Sequence, residues 1–298
     1  MVNRAIITTA CQPPFTIFIT GPTASGKSDL AMRIASGYDG EIICADSQTV
    51  RKGMDIGTAK PSSDDQMKVR HHMLDLIDPY DRFTVADFKL LAEDAVSSIR
   101  RRNKLPIVVG GTGLYIDALL YDFSFRQTTS EYSREELEDK TVDALQAIIN
   151  SKGYAVPENS RNPRHLIRTI EAAGELPQKR RPKGGSVIVG IDPGKEELER
   201  RIGMRATKML ECGLYDEYDD LVNKYGPPPS NFDALVYRML QTNPDISKEL
   251  IAKKMVISDR RYAKKQRAWM SRNKDIKWFV DSKQAYEYLS GVLGKTVE

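Results

Sequence analysis

Eight consecutive residues, Gly21-Pro22-Thr23-Ala24-Ser25-Gly26-Lys27-Ser28, carry the spacing G-x-x-x-x-G-K-[ST]. That spacing is a phosphate cradle. Its glycines let backbone N–H groups close around phosphate oxygens, and the helix that follows adds its positive dipole end. Lys27 supplies a point charge to the phosphates, and the Ser28 hydroxyl can hold a magnesium ion. At average residue frequencies the pattern arises by chance in roughly one chain in a hundred. It says that a diphosphate or triphosphate is held, and not what is done with it.

Two further groups extend the chemistry. Asp46 follows the apolar run Glu41–Ala45, at the strand rim where a carboxylate can take a proton from a nucleophile. Position alone reads it equally well as a turn or cap residue. Gly110-Gly111-Thr112-Gly113 ends another apolar run. Glycines there either admit a ligand to the backbone or make a tight turn, and Thr112 can reach a phosphate or leaving group. No acid follows that run, so the Walker-B carboxylate usual in NTP-hydrolysing motors is missing there. His71-His72 make a poor chelate, because neighbours on an extended segment point to opposite sides; they read as structural or substrate-positioning.

These groups need a scaffold. Phe15–Thr20 reads as a strand, Ser28–Ser36 as a helix and Glu41–Ala45 as a strand. Thr84 then caps a helix from Val85 to about Arg102, and Ile107–Val109 is a third strand. This alternation predicts an α/β fold, a P-loop NTPase-like core with a parallel sheet covered by helices. Residues 1–121 form its first part. Residues 122–184 are polar and helix-prone with a basic end (Lys179, Arg180, Arg181, Lys183), and read as a mainly helical insertion. Residues 185–298 return to the core with a strand at Ser186–Gly190, then run helical to the C-terminus.

The 298-residue chain has a net charge of +4, which fits a polyanionic partner without demanding one. Five cations, Arg260, Arg261, Lys264, Lys265 and Arg267, fall within eight residues. On a helical wheel Arg260, Lys264 and Arg267 share a face suited to phosphate contact, while Ile251, Met255, Tyr262 and Trp269 read as the buried stripe. Cys11, Cys44 and Cys212 stand far apart, against a disulfide framework or zinc site and in keeping with a reducing cytoplasm. No apolar run approaches a membrane span, and Met1–Phe15 is too weak for a signal peptide.

Taken together the motifs resemble the tRNA dimethylallyltransferases, also called tRNA isopentenyltransferases. The resemblance rests on Gly21–Ser28, Glu41–Ser47, Gly53-Met54-Asp55-Ile56-Gly57-Thr58-Ala59-Lys60-Pro61, His71-His72, Thr84–Phe88, Leu105–Tyr115 and Arg260–Gln266. It implies that the loop Gly21, Pro22, Thr23, Ala24, Ser25, Gly26, Lys27 and Ser28 holds dimethylallyl diphosphate, with magnesium on Ser28 and Arg238 near the diphosphate. It implies that Asp46 is the base, with Thr112 and Lys27 at the reacting centre. It implies an adenosine in the anticodon stem-loop of tRNA as the acceptor. Asp46, Ser47, Gln48, Thr49, Arg164, Arg168, Arg260, Arg261, Lys264, Lys265 and Gln266 are the expected RNA contacts. The family habit is a cytoplasmic monomer.

The chain departs from the family in an insertion shorter than usual and at three places in the sequence. Gln48-Thr49-Val50-Arg51 stands where the family has Met or Arg, then Gln, an apolar residue and Tyr. His165 replaces an arginine, and Val236 replaces the glycine before Tyr237-Arg238. These bear on the acceptor more than on the diphosphate. Dimethylallyl transfer to a free adenine nucleotide therefore stays open, as do an ATP-dependent small-molecule kinase and an RNA-binding protein without turnover.

Overall fold

A computed structural model describes residues 15–121, 131–174, 182–229, 232 and 234–294. The chain divides into two compact units, residues 1–120 with 182–298, and residues 121–181.

The first unit begins β1 (Thr16–Thr20), α1 (Lys27–Gly37), β2 (Gly40–Cys44), α2 (Ser63–Lys68), β3 (His71–His72), α3 (Val85–Arg101), β4 (Leu105–Gly110) and α4 (Gly113–Leu120). The second unit holds α5 (Arg134–Glu138), α6 (Val142–Ser151) and α7 (Pro163–Glu171). The chain then returns through β5 (Ser186–Ile191), α8 (Lys195–Glu211), α9 (Leu214–Tyr225), α10 (Leu235–Thr242), α11 (Lys248–Met270), β6 (Lys277–Phe279) and α12 (Ser282–Gly294).

Among the described residues the strands form one sheet in the order β3-β2-β4-β1-β5-β6, with every pairing parallel. β1, β2 and β4 are buried along their whole length, as a parallel sheet covered on both faces requires. Thr20 pairs with Gly110, and Cys44 with Val109. The P-loop, Asp46 and Thr112 therefore leave the sheet from the same rim, where ligands gather in open α/β folds.

Local chemistry explains the helix that carries β4 into place. Thr84 and Asp87 form a reciprocal capping box at the start of α3, and Phe88, Ala92, Ala95 and Ile99 bury one face at helical spacing. Phe88 stacks on Tyr115 of α4 with centroids 4.2 Å apart. The second unit closes a small core of its own from Leu137, Leu145, Ile149, Leu166, Ile167 and Ile170. Arg134 of α5 ties across it to Glu171 of α7 at 3.1 Å.

Two strands escape sequence reading. β3 has two residues and β6 three, too short for alternation to register, and β6 interrupts a stretch expected to be helical throughout. The basic residues Lys179, Arg180 and Arg181, with Met1–Pro14 and Cys11, lie outside the described residues. Lys183 belongs to the first unit and pairs with Glu93 at 2.6 Å.

The expected stripe on α11 needs correction. Ile251 and Met255 are buried, but Tyr262 and Trp269 are 41% and 39% exposed. Ala263, Gln266 and Met270 fill the seam instead. The seam shifts sideways along the helix, leaving Tyr262 and Trp269 on its margin. There Trp269 donates its Nε1–H to Asp117 of α4 at 2.8 Å.

Candidate active site

β1 runs into the P-loop, and Gly26 takes a φ of 93° at the entry to α1, a left-handed backbone that favours glycine. The loop lines a cleft of about 1660 Å³. Lys27 folds back to donate to the Pro22 carbonyl at 3.2 Å. Burial of its ammonium pushes its pKa down to about 8; Asp46 opposes the shift and Arg205 reinforces it. The Ser25 hydroxyl is buried with no hydrogen-bond partner. An orphaned donor inside a ring of backbone amides is the arrangement a phosphate oxygen completes.

Two arginines of α8 brace this loop from residues far along the chain. Arg201 donates to the Ser25 carbonyl at 3.0 Å, and Arg205 donates to the Thr23 hydroxyl. Both line the cleft. Sequence reasoning missed them. Their only signal is a four-residue spacing on one helix face, and nothing local says that this helix lies over the cradle.

Gln266 is a third brace and a correction. Expected among the RNA contacts, it is buried, accepts from the Thr23 N–H at 2.8 Å and donates to the Gly111 carbonyl at 3.0 Å. Buried and tied at both ends to backbone, this side chain braces the loop, and it also meets the Tyr262 hydroxyl. The glycines of 110–113 find their reason here too. A Cβ on Gly110 would lie 2.0 Å from the Ala45 carbonyl, on Gly111 2.2 Å from Gln266 Nε2, and on Gly113 2.1 Å from Trp269. They admit neighbouring protein groups, which favours the tight-packing reading over ligand approach.

On the other side of the cleft, one oxygen of Asp46 accepts from the Gln48 N–H at 2.9 Å and shapes the turn. Its Oδ2 accepts no hydrogen bond among the described residues. The carboxylate can thus hold the turn with one oxygen and face the cleft with the other. Thr112 Oγ1 accepts from the Ser47 N–H at 3.2 Å, fixing the loop that carries Asp46. The Tyr262 hydroxyl is hydrogen-bonded to Thr112 and Gln266; burial, then the nearby charge of Asp46, push its pKa up. Tyr262 is a cleft residue that the wheel had assigned to the core.

The departures have distinct fates. Gln48 Oε1 and Thr49 Oγ1 line the cleft and are buried without partners. Arg51 is buried and donates to the carbonyls of Pro79 and Asp81, with its guanidinium 5.3 Å from the Phe232 ring centroid. It serves as an internal strut. Val236 and Arg238 of α10 both line the cleft.

The basic residues separate by face. Arg261 and Lys265 line the cleft and make no ion pair among the described residues. Arg260 pairs with Glu199 at 2.9 Å, and Arg267 pairs with Asp192. The shared face of Arg260, Lys264 and Arg267 is therefore the partly neutralised one. Arg164, His165 and Arg168 are exposed on α7 of the second unit.

His72 Nε2 lies 2.7 Å from Glu41 Oε2, and Arg102 donates to the same carboxylate at 2.6 Å. Burial pushes the Glu41 pKa up, but these partners outweigh it and hold it below the ordinary value. Among the described residues no cluster of three or more His, Cys, Asp or Glu could hold a metal.

Sheet order and phosphate loop define a protein of the P-loop class, with a carboxylate lining the same cleft as the loop. The family profile for IPP transferases matches residues 49–274. A tRNA dimethylallyltransferase from Bacillus subtilis is 32% identical over 304 residues, spanning 93% of this chain and 97% of its own. One from Staphylococcus haemolyticus is 32% identical over 287 residues, spanning 89% and 86%. The crystal structure of a tRNA isopentenylpyrophosphate transferase from Bacillus halodurans superimposes with a TM-score of 0.70 at 29% identity, covering 95% of this chain and 97% of that one. A eukaryotic dimethylallyltransferase, 23% identical with a TM-score of 0.75, shares the fold. The chain belongs to the IPP transferase family, that of the tRNA dimethylallyltransferases. Among the described residues no helix is long and apolar enough to cross a membrane.

Proposed function

We propose that this protein transfers a dimethylallyl group from dimethylallyl diphosphate to the exocyclic amine of the adenosine 3′ to the anticodon in tRNA, releasing diphosphate. One observation carries the reading: Lys27 of the phosphate loop and Asp46 line the same cleft. A diphosphate cradled by the loop can then present its allylic carbon to the carboxylate.

The amine nitrogen attacks that carbon, the carbon–oxygen bond breaks, and the electron pair leaves on the diphosphate. Lys27, Arg205 and the loop amides take up the charge that develops there. Asp46 Oδ2 receives the amine proton once the new bond acidifies it, so its placement counts for more than its pKa. The hydroxyls of Thr112 and Tyr262, bonded to each other, hold the Asp46 loop at its height. Drawing the adenine out of its stack costs a few kcal/mol, which phosphate contacts at Arg261 and Lys265 offset. The donors beside the cradle are hard oxygens, the Ser28 hydroxyl and the Asp46 carboxylate, and these suit magnesium. Ser28 would hold that ion, which neutralises departing charge when bound.

The test is a transfer assay with radiolabelled dimethylallyl diphosphate, magnesium, and either unmodified tRNA or AMP. Label at the adenosine after the anticodon is the expected result. Label in AMP alone would move the protein to the free-nucleotide branch, and no label in either would overturn the reading.

A further inference from the structure

Behind the cleft wall, the carboxylate of Glu217 on α9 accepts four hydrogen bonds. Three come from consecutive backbone N–H groups: Asp55 and Ile56 donate to Oε2 at 2.8 and 2.6 Å, and Gly57 donates to Oε1 at 2.9 Å. The fourth is the Tyr237 hydroxyl, which donates to Oε1 at 2.7 Å. A run of converging N–H groups is an anion-binding nest, and here the anion is the protein's own side chain.

The shared carboxylate joins two walls of the cleft. One is the loop that carries Gly57 to Pro61 along the cleft, and the other is α10, where Arg238 follows Tyr237 directly. Their approach is tight. A Cβ on Gly57 would lie 2.5 Å from the Tyr237 hydroxyl, so only glycine fits beneath it. Tyr237 is 1% exposed, and burial, then the Glu217 charge, push its pKa up, so the hydroxyl stays a donor. Lys60 holds the far flank of the loop through Asp55, Asp75 and the Arg51 carbonyl. Neither Glu217 nor Tyr237 lines the cleft.

We infer that Glu217 is a positioning residue for the reaction: it fixes α10 and the 57–61 loop as one piece and so sets the place of Arg238 against the diphosphate. The inference rests on the diphosphate-binding reading above. Charge-assisted bonds to one carboxylate are stronger than neutral ones, and two elements sharing them cannot shift independently.

The experiment titrates inorganic diphosphate with magnesium into the full chain by calorimetry. Glu217→Gln keeps the shape but replaces one acceptor oxygen with an amide donor and removes the charge, so part of the N–H nest loses its acceptor and the remaining ties weaken. Tyr237→Phe removes only the tie to α10. Arg238→Ala is expected to weaken diphosphate about tenfold, as losing a charge-assisted contact should. The Glu217 and Tyr237 variants should each weaken it about fivefold or more, and Glu217→Gln with Arg238→Ala should be no weaker than Arg238→Ala alone. KM for the allylic diphosphate should rise in parallel, with RNA affinity unchanged.

Wild-type diphosphate binding in folded Tyr237→Phe and Glu217→Gln overturns the inference, whatever their melting temperatures. So do unchanged binding in Arg238→Ala and losses that multiply in the double variant. Wild-type protein that transfers no prenyl group while this cycle holds overturns the functional reading and leaves the placement by Glu217 standing.

Discussion

The two rims of the cleft are built on opposite plans. On the P-loop rim, the Thr23 N–H and hydroxyl and the Ser25 carbonyl are held by Arg201, Arg205 and Gln266 from α8 and α11, and the Ser25 hydroxyl is left open. On the Asp46 rim, Asp46 Oδ2 has no hydrogen bond among the described residues, and Gln48 Oε1 and Thr49 Oγ1 are buried without partners. A diphosphate always has the same shape, so its site can be rigid before it arrives. On the function proposed above, groups left unsatisfied in the free protein would favour docking of an RNA acceptor that pairs with them.

The largest effect should come from the rigid rim. Lys27→Ala is expected to slow transfer about 10³-fold, measured under single turnover, because it removes a preorganised charge from the leaving group. Asp46→Asn tests the open rim more narrowly. Its amide oxygen still accepts from Gln48, but the group cannot take a proton, so transfer should fall about 10²-fold with RNA affinity intact. Full activity in Asp46→Asn would remove the base assignment.

Arg205→Ala should weaken diphosphate binding about tenfold, the scale of one charge-assisted contact. A smaller change would mean that the rim is rigid without it. Reversing Arg261 and Lys265 should flatten the salt dependence of RNA binding by about two units of slope, while reversing Arg260 and Lys264 should leave it close to wild type. Equal effects from both pairs would erase the distinction between the faces of α11.

The smallest effect is a proton. A bound polyanion raises the Lys27 pKa from about 8, so diphosphate binding should take up protons above pH 8 and none well below it. Affinity accordingly falls as pH rises through 8. Calorimetry in buffers of different ionisation enthalpy reads that uptake, which Lys27→Ala should abolish.

The legible parts of the site are contiguous ones. The P-loop spans eight neighbouring residues, and Asp46 follows a strand whose apolar run is plain. Their common rim follows from the parallel order of β1, β4 and β2. What stayed hidden depends on distant chain returning over the cleft. Arg201 and Arg205 on α8 and Glu217 on α9 belong to no motif that the sequence marks. Gln266 was misread because a motif gives the residue but not the direction it faces. The wheel for α11 assumed a straight seam, and the seam drifts just where Tyr262 enters the cleft.

Cys44 ends β2, immediately before the Asp46 turn. It is 5% exposed, and burial, followed by the Asp46 charge, pushes its thiol pKa up to about 12. Nucleophilic attack by sulfur needs the thiolate, so this cleft cysteine is chemically silent at neutral pH. Cys212, at the end of α8, is exposed. Of these two, Cys212 is therefore the position where maleimide will attach a fluorophore, reporting on α8 while the reacting centre stays untouched.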